Sequence, residues 1–232
     1  MNSSPDKVLV IAEEASLRSH IRHTLEAFGF DMGEASDSEN AQMRLRMVDY
    51  EAVLLNLPTP ETNDVSICRQ LRGLHPRLPI LILSPHDSLD HKVEAFEAGA
   101  DDYVIRPFSE RELNARIRSA IRRYRASAVG AIERFVIGDI VFDSTMRRLE
   151  KAGSQIPLTP LEFRALHVLM AQAGKPVTHA TLLNMLWGQE RTEHREHLRV
   201  LISALRKKIE DDPAHPTYLL THSHFGYLFR EA

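Results

Sequence analysis

The first half of the chain alternates short apolar runs with stretches in which apolar residues recur at helical spacing. The runs at 7–11, 53–55 and 79–83 are typical of strands buried on both faces of a parallel sheet. The helical stretch after the first run carries apolar residues three and four positions apart: Leu17, Ile21, Leu25 and Phe28. We expect Ser16 to cap that helix. Five strands alternating with five helices predict an α/β fold, a doubly wound five-stranded parallel sheet.

The second half shows short strands followed by longer helices. Strands predicted at 135–137, 140–142 and 148–150 are separated by Gly, Asp and Ser turn signals and favour a small antiparallel sheet. The stretch 159–162, Thr-Pro-Leu-Glu, has the sequence of a capping box at the start of a helix. Further helices at 178–187 and 194–210 and a hairpin at 218–229 complete an α+β domain.

The boundary between the halves is a stretch of small and polar residues. Helical periodicity stops near Arg125, and the sequence then reads Ala-Ser-Ala-Val-Gly-Ala. We therefore predict a first domain at 1–124, a linker at 125–133 and a second domain at 134–232.

Composition narrows the class of protein. The 232 residues carry a formal net charge of −3, so any surface that binds nucleic acid must be local. The single cysteine, Cys68, excludes a disulfide framework and is expected to be a packed core thiol in a reducing, cytoplasmic compartment. No run approaches the roughly 20 apolar residues of a membrane-spanning helix. We therefore expect no membrane contact. The sequence also does not assemble a nucleophile and a base on one element, so we expect that the protein is not an enzyme.

The strand at 53–55 ends at an amide. Pro58 and Pro60 prevent further ladder pairing, so the strand stops near Asn56. Open α/β sheets keep their ligand crevice at this carboxyl edge. A carboxylate there could coordinate a cation or accept a phosphoryl group, whereas an amide does neither well.

Three stretches of the first domain together resemble the receiver domain of two-component response regulators. They are Leu-Leu-Asn-Leu-Pro-Thr-Pro at 54–60, Ala-Gly-Ala-Asp-Asp-Tyr at 98–103 and Arg-Pro-Phe at 106–108. The resemblance covers about residues 6–125 and implies the flavodoxin-like fold of CheY. It also implies an acidic pair that binds magnesium, an aspartate that accepts phosphate, and Thr or Ser and Lys residues that read the phosphoryl group.

Carried over position by position, the resemblance predicts a degenerate phospho-acceptor site. The acidic pair falls on Ala12 and Glu13, the acceptor on Asn56, the Lys on Arg106 and a loop Gly on Asp64, while Ser84 and Tyr103 are retained. Several departures at one site favour a receiver that works without phosphorylation. The alternative is an engineered or tolerated change at Asn56. We expect no cofactor, although Glu13 and Glu14 could hold Mg²⁺ weakly.

Two further expectations concern charges in the receiver. We place the first strand between the third and fifth strands as its neighbours in the sheet. Glu13 and Arg106 are therefore expected to form a permanent ion pair, with Asn56 donating a hydrogen bond. The alternative is that Arg106 points to water. A second charged set resembles the symmetric receiver dimer of the OmpR/PhoB subfamily: Lys92, Asp101, Asp102, Glu112, Arg116 and Arg123. The alternative is a solvated surface of mixed charge.

The second domain resembles the winged helix-turn-helix effector domain of the OmpR/PhoB family. The resemblance rests on the stretches at 158–163, 205–209 and 225–227 and covers about residues 134–232. Within the family, 193–199 and 212–216 are most similar to the KdpE type, which regulates potassium-uptake operons. The predicted helix at 194–210 has an apolar stripe and an opposite basic face, as a helix in the major groove needs. The candidate DNA-binding residues are Arg195, His197, Arg199, Ser203, Arg206, Lys207, His222, His224 and Tyr227.

These observations predict a DNA-binding transcriptional regulator. It would bind double-stranded promoter DNA as a homodimer formed through the receiver, with RNA polymerase as a further partner. Arg195 and Arg199 are the candidates for base edges, and Arg206 and Lys207 the candidates for phosphates. The alternative is a protein-interaction module that forms mixed dimers with a signalling partner or sequesters it.

Overall fold

The computed structural model describes residues 5–57, 65–126, 134–187 and 194–231. It divides into two compact units, Met1–Arg125 and Ala126–Ala232, and each is described by itself. Three predicted features lie outside the described residues: the loop 58–64 with Pro58, Pro60 and Asp64, the linker residues 127–133, and the loop 188–193. None of the helices in the described ranges is long and apolar enough to cross a membrane.

The first unit is a five-stranded parallel sheet flanked by helices, which confirms the predicted fold. Its strands are β1 (Lys7–Ile11), β2 (Asp31–Ala35), β3 (Ala52–Asn56), β4 (Ile80–Ser84) and β5 (Asp102–Ile105). Its helices are α1 (Ala15–Ala27), α2 (Ser38–Met47), α3 (Val65–Leu74), α4 (Leu89–Glu97) and α5 (Glu110–Ala126). Every residue of β3 and β4 is buried, as their continuous apolar runs require. Helix α1 begins one residue before Ser16, whose hydroxyl donates to Glu14, so Ser16 is not its cap.

The strand order is β2-β1-β3-β4-β5, and it corrects one sequence expectation. The first strand lies between β2 and β3, while β5 is an edge strand. Three strand spacings of about 4.8 Å therefore separate β1 from β5, on the order of 14 Å. The predicted proximity of their carboxyl ends was wrong.

The core of the first unit follows from the alternation of side chains along the strands. Val8 and Val10 of β1 and Leu54 of β3 point to the same face of the sheet, where helices α1 and α5 cover them. Ile21 and Ile117 are the corresponding fully buried residues of those helices. This packing fixes the strand ends, and with them the side chains at the carboxyl edge.

The described part of the second unit contains a sheet, three helices and a hairpin. Strands β6 (Arg134–Ile137), β7 (Ile140–Asp143), β8 (Arg148–Lys151) and β9 (Ser154–Ile156) form an antiparallel meander. Helices α6 (Pro160–Met170), α7 (His179–Trp187) and α8 (His194–Ile209) follow. Strands β10 (Val177–Thr178), β11 (Leu219–His222) and β12 (Gly226–Phe229) form a second sheet in the order β10-β12-β11. We call β11, β12 and the turn between them the wing.

Local sequence explains most of these boundaries. The capping box of α6 is confirmed, because Thr159 Oγ1 accepts from the Glu162 amide at 3.3 Å and the Thr159 amide donates to Glu162 Oε2 at 2.7 Å. Strands β9 and β10 were missed. The first contains Ser, Gln and Ile, and the second is two residues long, so neither shows a period-two pattern.

Candidate functional site

The receiver site is built at the carboxyl end of β3. Asn56 is the last residue of that strand and is 8% exposed. The next amide, of Leu57, donates to the carbonyl of Leu83 at 2.8 Å and continues the pairing with β4. Asn56 Oδ1 is buried and accepts no hydrogen bond from the residues that the structure describes. The position expected for a phosphoryl acceptor thus holds a neutral amide with an unused acceptor oxygen.

The end of β1 offers little to a hard cation. Ala12 is buried and contributes a methyl group, while the carboxylate of Glu13 lies at the surface. The carbonyl oxygens of both residues accept hydrogen bonds from Arg18 Nη1, at 2.6 and 2.8 Å. Arg18 is itself paired with Glu34 at 3.1 Å. Within the described ranges, no group of three or more His, Cys, Asp or Glu side chains could hold a metal ion.

Ser84 and Tyr103, the two retained positions, belong to one hydrogen-bonded group. The hydroxyl of Tyr103 donates to the carbonyl of His86 at 2.9 Å, and the amide of His86 donates to Ser84 Oγ at 3.3 Å. Burial raises the pKa of Tyr103, against the opposing effect of its hydrogen bond with Ser84. The tyrosine is therefore a neutral donor that holds the loop after β4.

The expected ion pair between Glu13 and Arg106 is not formed. The salt bridges among the described residues do not join these two side chains. The strand order is the reason, because their strands are three spacings apart. Arg106 is half-buried at the end of β5, and its amide donates to the carbonyl of Ser84 at 2.7 Å. Glu13 and Asn56 instead both line a cleft at the carboxyl ends of β1 and β3.

The charged set predicted for the dimer interface lies largely inside the chain. Five of its six members are buried: Lys92, Asp101, Asp102, Arg116 and Arg123. The sixth, Glu112, accepts from Arg116 at 2.8 Å. Arg116 also pairs with Asp102 at 3.0 Å. The burial of five members does not fit the alternative of a solvated surface of mixed charge. The interface itself stays a prediction.

Asp101 and Lys92 also have partners within the chain. Arg72 of α3 donates to Asp101 at 2.7 Å and to the carbonyl of Gly99 at 2.7 Å. Lys92 pairs with Asp87 at 2.5 Å. The sequence pattern did not reveal Arg72, since it lies on a different helix from the predicted set.

Helix α8 carries the basic face of the second unit. Leu198, Leu201, Ile202, Leu205 and Ile209 are buried, as predicted. Arg195, Arg199, Ser203 and Lys207 are exposed. The guanidinium of Arg199 makes no hydrogen bond or ion pair with any residue described in the structure. The exposed face is therefore polar and basic along the length of the helix.

Two predicted DNA contacts are instead part of the core. His197 is 2% exposed, and its ring lies edge-on to Trp187, with centroids 6.3 Å apart. It stands four residues before Leu201, so helical spacing could have placed it on the buried stripe. Tyr227 is 6% exposed, and burial raises its pKa. Neither side chain is placed to touch a nucleic acid directly.

Arg206 has a structural role that the sequence did not reveal. Its Nε donates to the carbonyl of Leu219 at 2.9 Å, and Nη2 donates to Thr221 Oγ1 at 2.8 Å. Both acceptors belong to β11, so Arg206 ties the wing to α8. Lys208 is likewise occupied, since Nζ pairs with Glu162 Oε2 at 2.6 Å.

The tip of the wing presents His222 and His224 to solvent, as predicted. His224 lies in the turn between β11 and β12 and has a φ of +61°, in the left-handed region. Phe225 is 44% exposed, and its ring contacts that of His222 with centroids 5.5 Å apart. The tip therefore combines two imidazoles with one exposed aromatic ring.

His179, the first residue of α7, is a further candidate that the sequence analysis missed. Its ring lies edge-on to Tyr227 with centroids 5.4 Å apart, and its amide donates to the carbonyl of Phe225 at 3.0 Å. Burial lowers the pKa of His179, and the charges of Arg195 and Arg199 lower it further. His179 thus joins α7, α8 and the wing. Its only sequence signal was its position after Thr178, whose hydroxyl accepts from the Thr181 amide.

Gly226 explains why the wing needs a glycine. A Cβ at this position would lie 1.8 Å from the carbonyl oxygen of Val177, because β10 pairs with β12 there. Any side chain would force β10 and β12 apart.

Comparison with known proteins identifies both units. The family described as response regulator receiver domain matches residues 8–118. The family described as transcriptional regulatory protein, C terminal, matches residues 153–229. The chain is 34% identical over 223 residues to the KDP operon transcriptional regulatory protein KdpE of Escherichia coli K12, covering 96% of this chain and 98% of that protein. The chain belongs to the response regulator family.

Other relatives of this response regulator extend over nearly the whole chain. It is 36% identical over 224 residues to the transcriptional regulatory protein KdpE of Mycobacterium tuberculosis, covering 96% of this chain and 98% of that protein. It is 36% identical over 231 residues to the probable transcriptional regulator ycf27 of Porphyridium aerugineum, covering 97% of this chain and 96% of that protein. A solved structure of a RitR mutant matches 98% of this chain and 100% of its own, with a TM-score of 0.76 and 22% identity, a likeness of fold.

Proposed function

We propose that this response regulator binds promoter DNA as a receiver-mediated dimer, acts on transcription with RNA polymerase, and does so without phosphorylation of the receiver. The observation that carries the DNA-binding part is the exposed basic face of α8 beside the wing. The KdpE relatives named above are transcriptional regulatory proteins, which supports the same class of function.

Arg199 is the proposed reader of the major groove. Its guanidinium is exposed and bonded to no described residue, so it keeps its donors for a base edge. Arg pairs well with guanine because two of its donors match O6 and N7. Arg195 lies one turn earlier on the same face and is the second base-edge candidate.

Phosphate contacts would come from the flanks of this face. Lys207 is exposed near the end of α8 and carries a charge that attracts phosphate without sequence preference. Arg206 contributes by holding the wing, so that His222 and His224 are presented to a neighbouring minor groove. The wing and α8 would then act as one unit.

Independence from phosphorylation rests on the chemistry at the end of β3. An amide nitrogen is not a phosphoryl nucleophile, so Asn56 lacks the group that would attack a donor. The methyl group of Ala12 supplies no charge to a cation. In this proposal, the receiver serves as a dimerisation domain that does not need the covalent signal.

The proposed dimer uses the region of α4, β5 and α5. The six charged residues there are three acids and three bases, a composition that is complementary to itself across a two-fold axis. Most of these residues pair within the chain. The dimer would therefore form through the surface around those pairs, or the two chains would exchange pairing partners. Sedimentation equilibrium of the full chain measures the dimer, and a monomer at every accessible concentration would contradict it.

The experiment for DNA binding begins with mapping the genomic sites that the protein occupies. Fluorescence anisotropy on a recovered duplex and on a scrambled duplex, over a salt series, then gives affinity and specificity. We expect tighter binding to the recovered site and a steep loss of affinity with salt. Equal, weak binding to both duplexes would overturn the proposal and favour a module that forms mixed protein complexes.

A further inference from the structure

The vestigial phosphorylation site borders a cleft of about 630 Å³ at the carboxyl edge of β1 and β3. Its apolar wall includes Ala12, Leu57 and Ile67, and its polar wall includes Glu13, Asp37 and Asn56. Clefts of a few hundred cubic ångströms with an apolar lining and a few convergent polar groups are typical of small-molecule sites. The site therefore has the size for an organic ligand larger than a single ion.

Asn56 supplies an observation that points to a ligand. The residue is more than nine-tenths buried, it lines this cleft, and its Oδ1 has no donor among the described parts of the chain. A buried acceptor without a donor is costly, so such a group is usually satisfied by an ordered water or by a bound ligand. The missing partner must carry an N–H or O–H group.

The acidic lining of the cleft favours a positively charged hydrogen-bond donor. Glu13 and Asp37 are the charged residues of its described lining, and both are acids. The backbone amide of Asn40, with a smaller contribution from the hydroxyl of Ser36, lowers the pKa of Asp37 to about 2, so this carboxylate remains ionised at physiological pH. The nearby guanidinium of Arg18 is paired with Glu34 and directed to backbone carbonyls. A phosphate or carboxylate would meet repulsion here, whereas an ammonium would meet attraction.

We propose that this cleft binds a small organic amine, in its ammonium form, with an apolar body. The ammonium donates to Asn56 Oδ1 and lies close to the carboxylate of Glu13. The apolar body packs against Leu57 and Ile67. The same replacements that remove phosphoryl chemistry, an amide at position 56 and a methyl at position 12, thereby create an acceptor and an apolar wall. Binding to the receiver is separate from the DNA-binding proposal and is measured without DNA.

The test is an amide-resolved NMR titration of the full chain with three matched probes: tryptamine, its neutral analogue tryptophol, and indoleacetate. We expect tryptamine to shift the backbone signals of Ala12, Glu13, Asn56 and Leu57. Tryptophol should bind about tenfold more weakly, because charge-assisted hydrogen bonds are about twice as strong as neutral ones. Indoleacetate should leave these signals in place.

Two variants and one control locate the site. Glu13→Gln removes an exposed charge without disturbing the core and should weaken tryptamine binding about tenfold, the effect of losing one close charge partner. Asn56→Leu removes the acceptor and should weaken the binding of both tryptamine and tryptophol, because each probe carries a group that can donate to Asn56 Oδ1. Glu110→Gln, an exposed acid at the start of α5 outside the cleft lining, should bind like the parent chain.

Several results would overturn the proposal. Equal affinity for tryptamine and tryptophol would mean that no ammonium is recognised. Preference for indoleacetate would mean that the amide of Asn56 presents its NH₂ group to the cleft. Shifts of the same signals by Mg²⁺ alone, with none from tryptamine, would make this a cation site. Unchanged tryptamine binding in Glu13→Gln would place the ligand elsewhere, whether or not Asn56→Leu folds.

Discussion

Arg206 of α8 donates a hydrogen bond of 2.8 Å to Thr221 Oγ1 of β11, and this contact joins the proposed recognition helix to the wing. A second bond of 2.9 Å, from Nε of the same guanidinium to the carbonyl of Leu219, makes the connection bidentate. The residue that the sequence indicated as a phosphate contact is therefore also a brace. Its removal should affect the geometry of the interface as well as its charge.

We predict that Arg206→Ala loosens the wing. Hydrogen exchange at the amides of β11 and β12 should become faster, and affinity for specific duplex should fall more than affinity for non-specific duplex. Lys207→Ala is the matched control, because it removes one neighbouring charge from an exposed position of the same helix. It should weaken all duplexes similarly and reduce the salt slope by about 1. Equal exchange rates in Arg206→Ala and the parent chain would show that the brace is dispensable.

We predict that Arg199→Ala relaxes base preference at one position of the binding site. The loss should be about 1–3 kcal/mol if the contact with guanine is bidentate, with little change on scrambled duplex. Competition binding against a library of single-base variants measures it. Arg111→Ala, which removes an exposed cation in the receiver, serves as the control for net charge. A uniform loss over all variants would reassign Arg199 to a phosphate contact.

The sequence alone was sufficient where one local pattern dominates. The apolar runs placed β3 and β4, and the Thr159–Glu162 spacing placed the start of α6, because burial on both faces and capping leave clear signatures. The sequence did not reveal interactions between side chains that lie on elements far apart in the chain. The pairing of Arg72 with Asp101 and the bracing of the wing by Arg206 depend on tertiary proximity that no periodicity records.

The receiver site shows the same division. The amide at Asn56 and the methyl at Ala12 were readable as residue types at the ends of strands. The strand order was not, and the expected Glu13–Arg106 pair depended on it. One misplaced neighbour in a sheet moves a side chain by a whole strand spacing, about 4.8 Å, which is enough to remove an ion pair.

We predict that phosphodonors do not modify this receiver. Incubation with acetyl phosphate and Mg²⁺ should leave the intact mass unchanged, because Asn56 has no nucleophilic oxygen with the required charge. The double variant Ala12→Asp/Asn56→Asp restores the carboxylates and should form an acid-labile adduct, while Asn56→Asp alone should react more slowly. An adduct on the parent receiver would contradict the proposed independence from phosphate.

We predict that Arg116→Ala destabilises the receiver by about 3–5 kcal/mol, the cost of leaving a buried charge without its partner. Arg116 and Asp102 are both buried, and their atoms are 3.0 Å apart. Burial opposes the charge of Arg116, yet Asp102 and Glu112 outweigh it and raise its pKa. Urea unfolding followed by far-ultraviolet circular dichroism gives the free energy of unfolding.

The matched comparison is Arg116→Ala/Asp102→Asn. Because the second change neutralises the remaining carboxylate, it should recover part of the loss. Additive losses in the double variant would mean that the two charges are not coupled.

The last prediction concerns pH and His179. Burial and the charges of Arg195 and Arg199 hold the folded-state pKa of His179 below its ordinary value of 6.5. The unfolded chain therefore binds a proton at His179 more readily than the folded chain does. The contribution of His179 to stability is thus intact above pH 6.5 and falls as the pH drops from 6.5 towards the lowered pKa.

Bound DNA should change the pKa of His179 in the opposite direction. Phosphates near α7 and α8 would offset the arginine charges and raise the pKa of His179, so binding takes up a proton and affinity should increase as the pH falls below about 6.5. His179→Gln keeps a polar side chain but removes the titration, and His222→Gln/His224→Gln, which changes the wing tip and leaves His179 in place, is the control. Anisotropy titrations of the parent and both variants at matched ionic strength, each accompanied by urea unfolding, distinguish the contributions. We expect the pH dependence of affinity to be smaller in His179→Gln than in the parent; the same dependence in both would show that His179 lies outside the field of the bound phosphates.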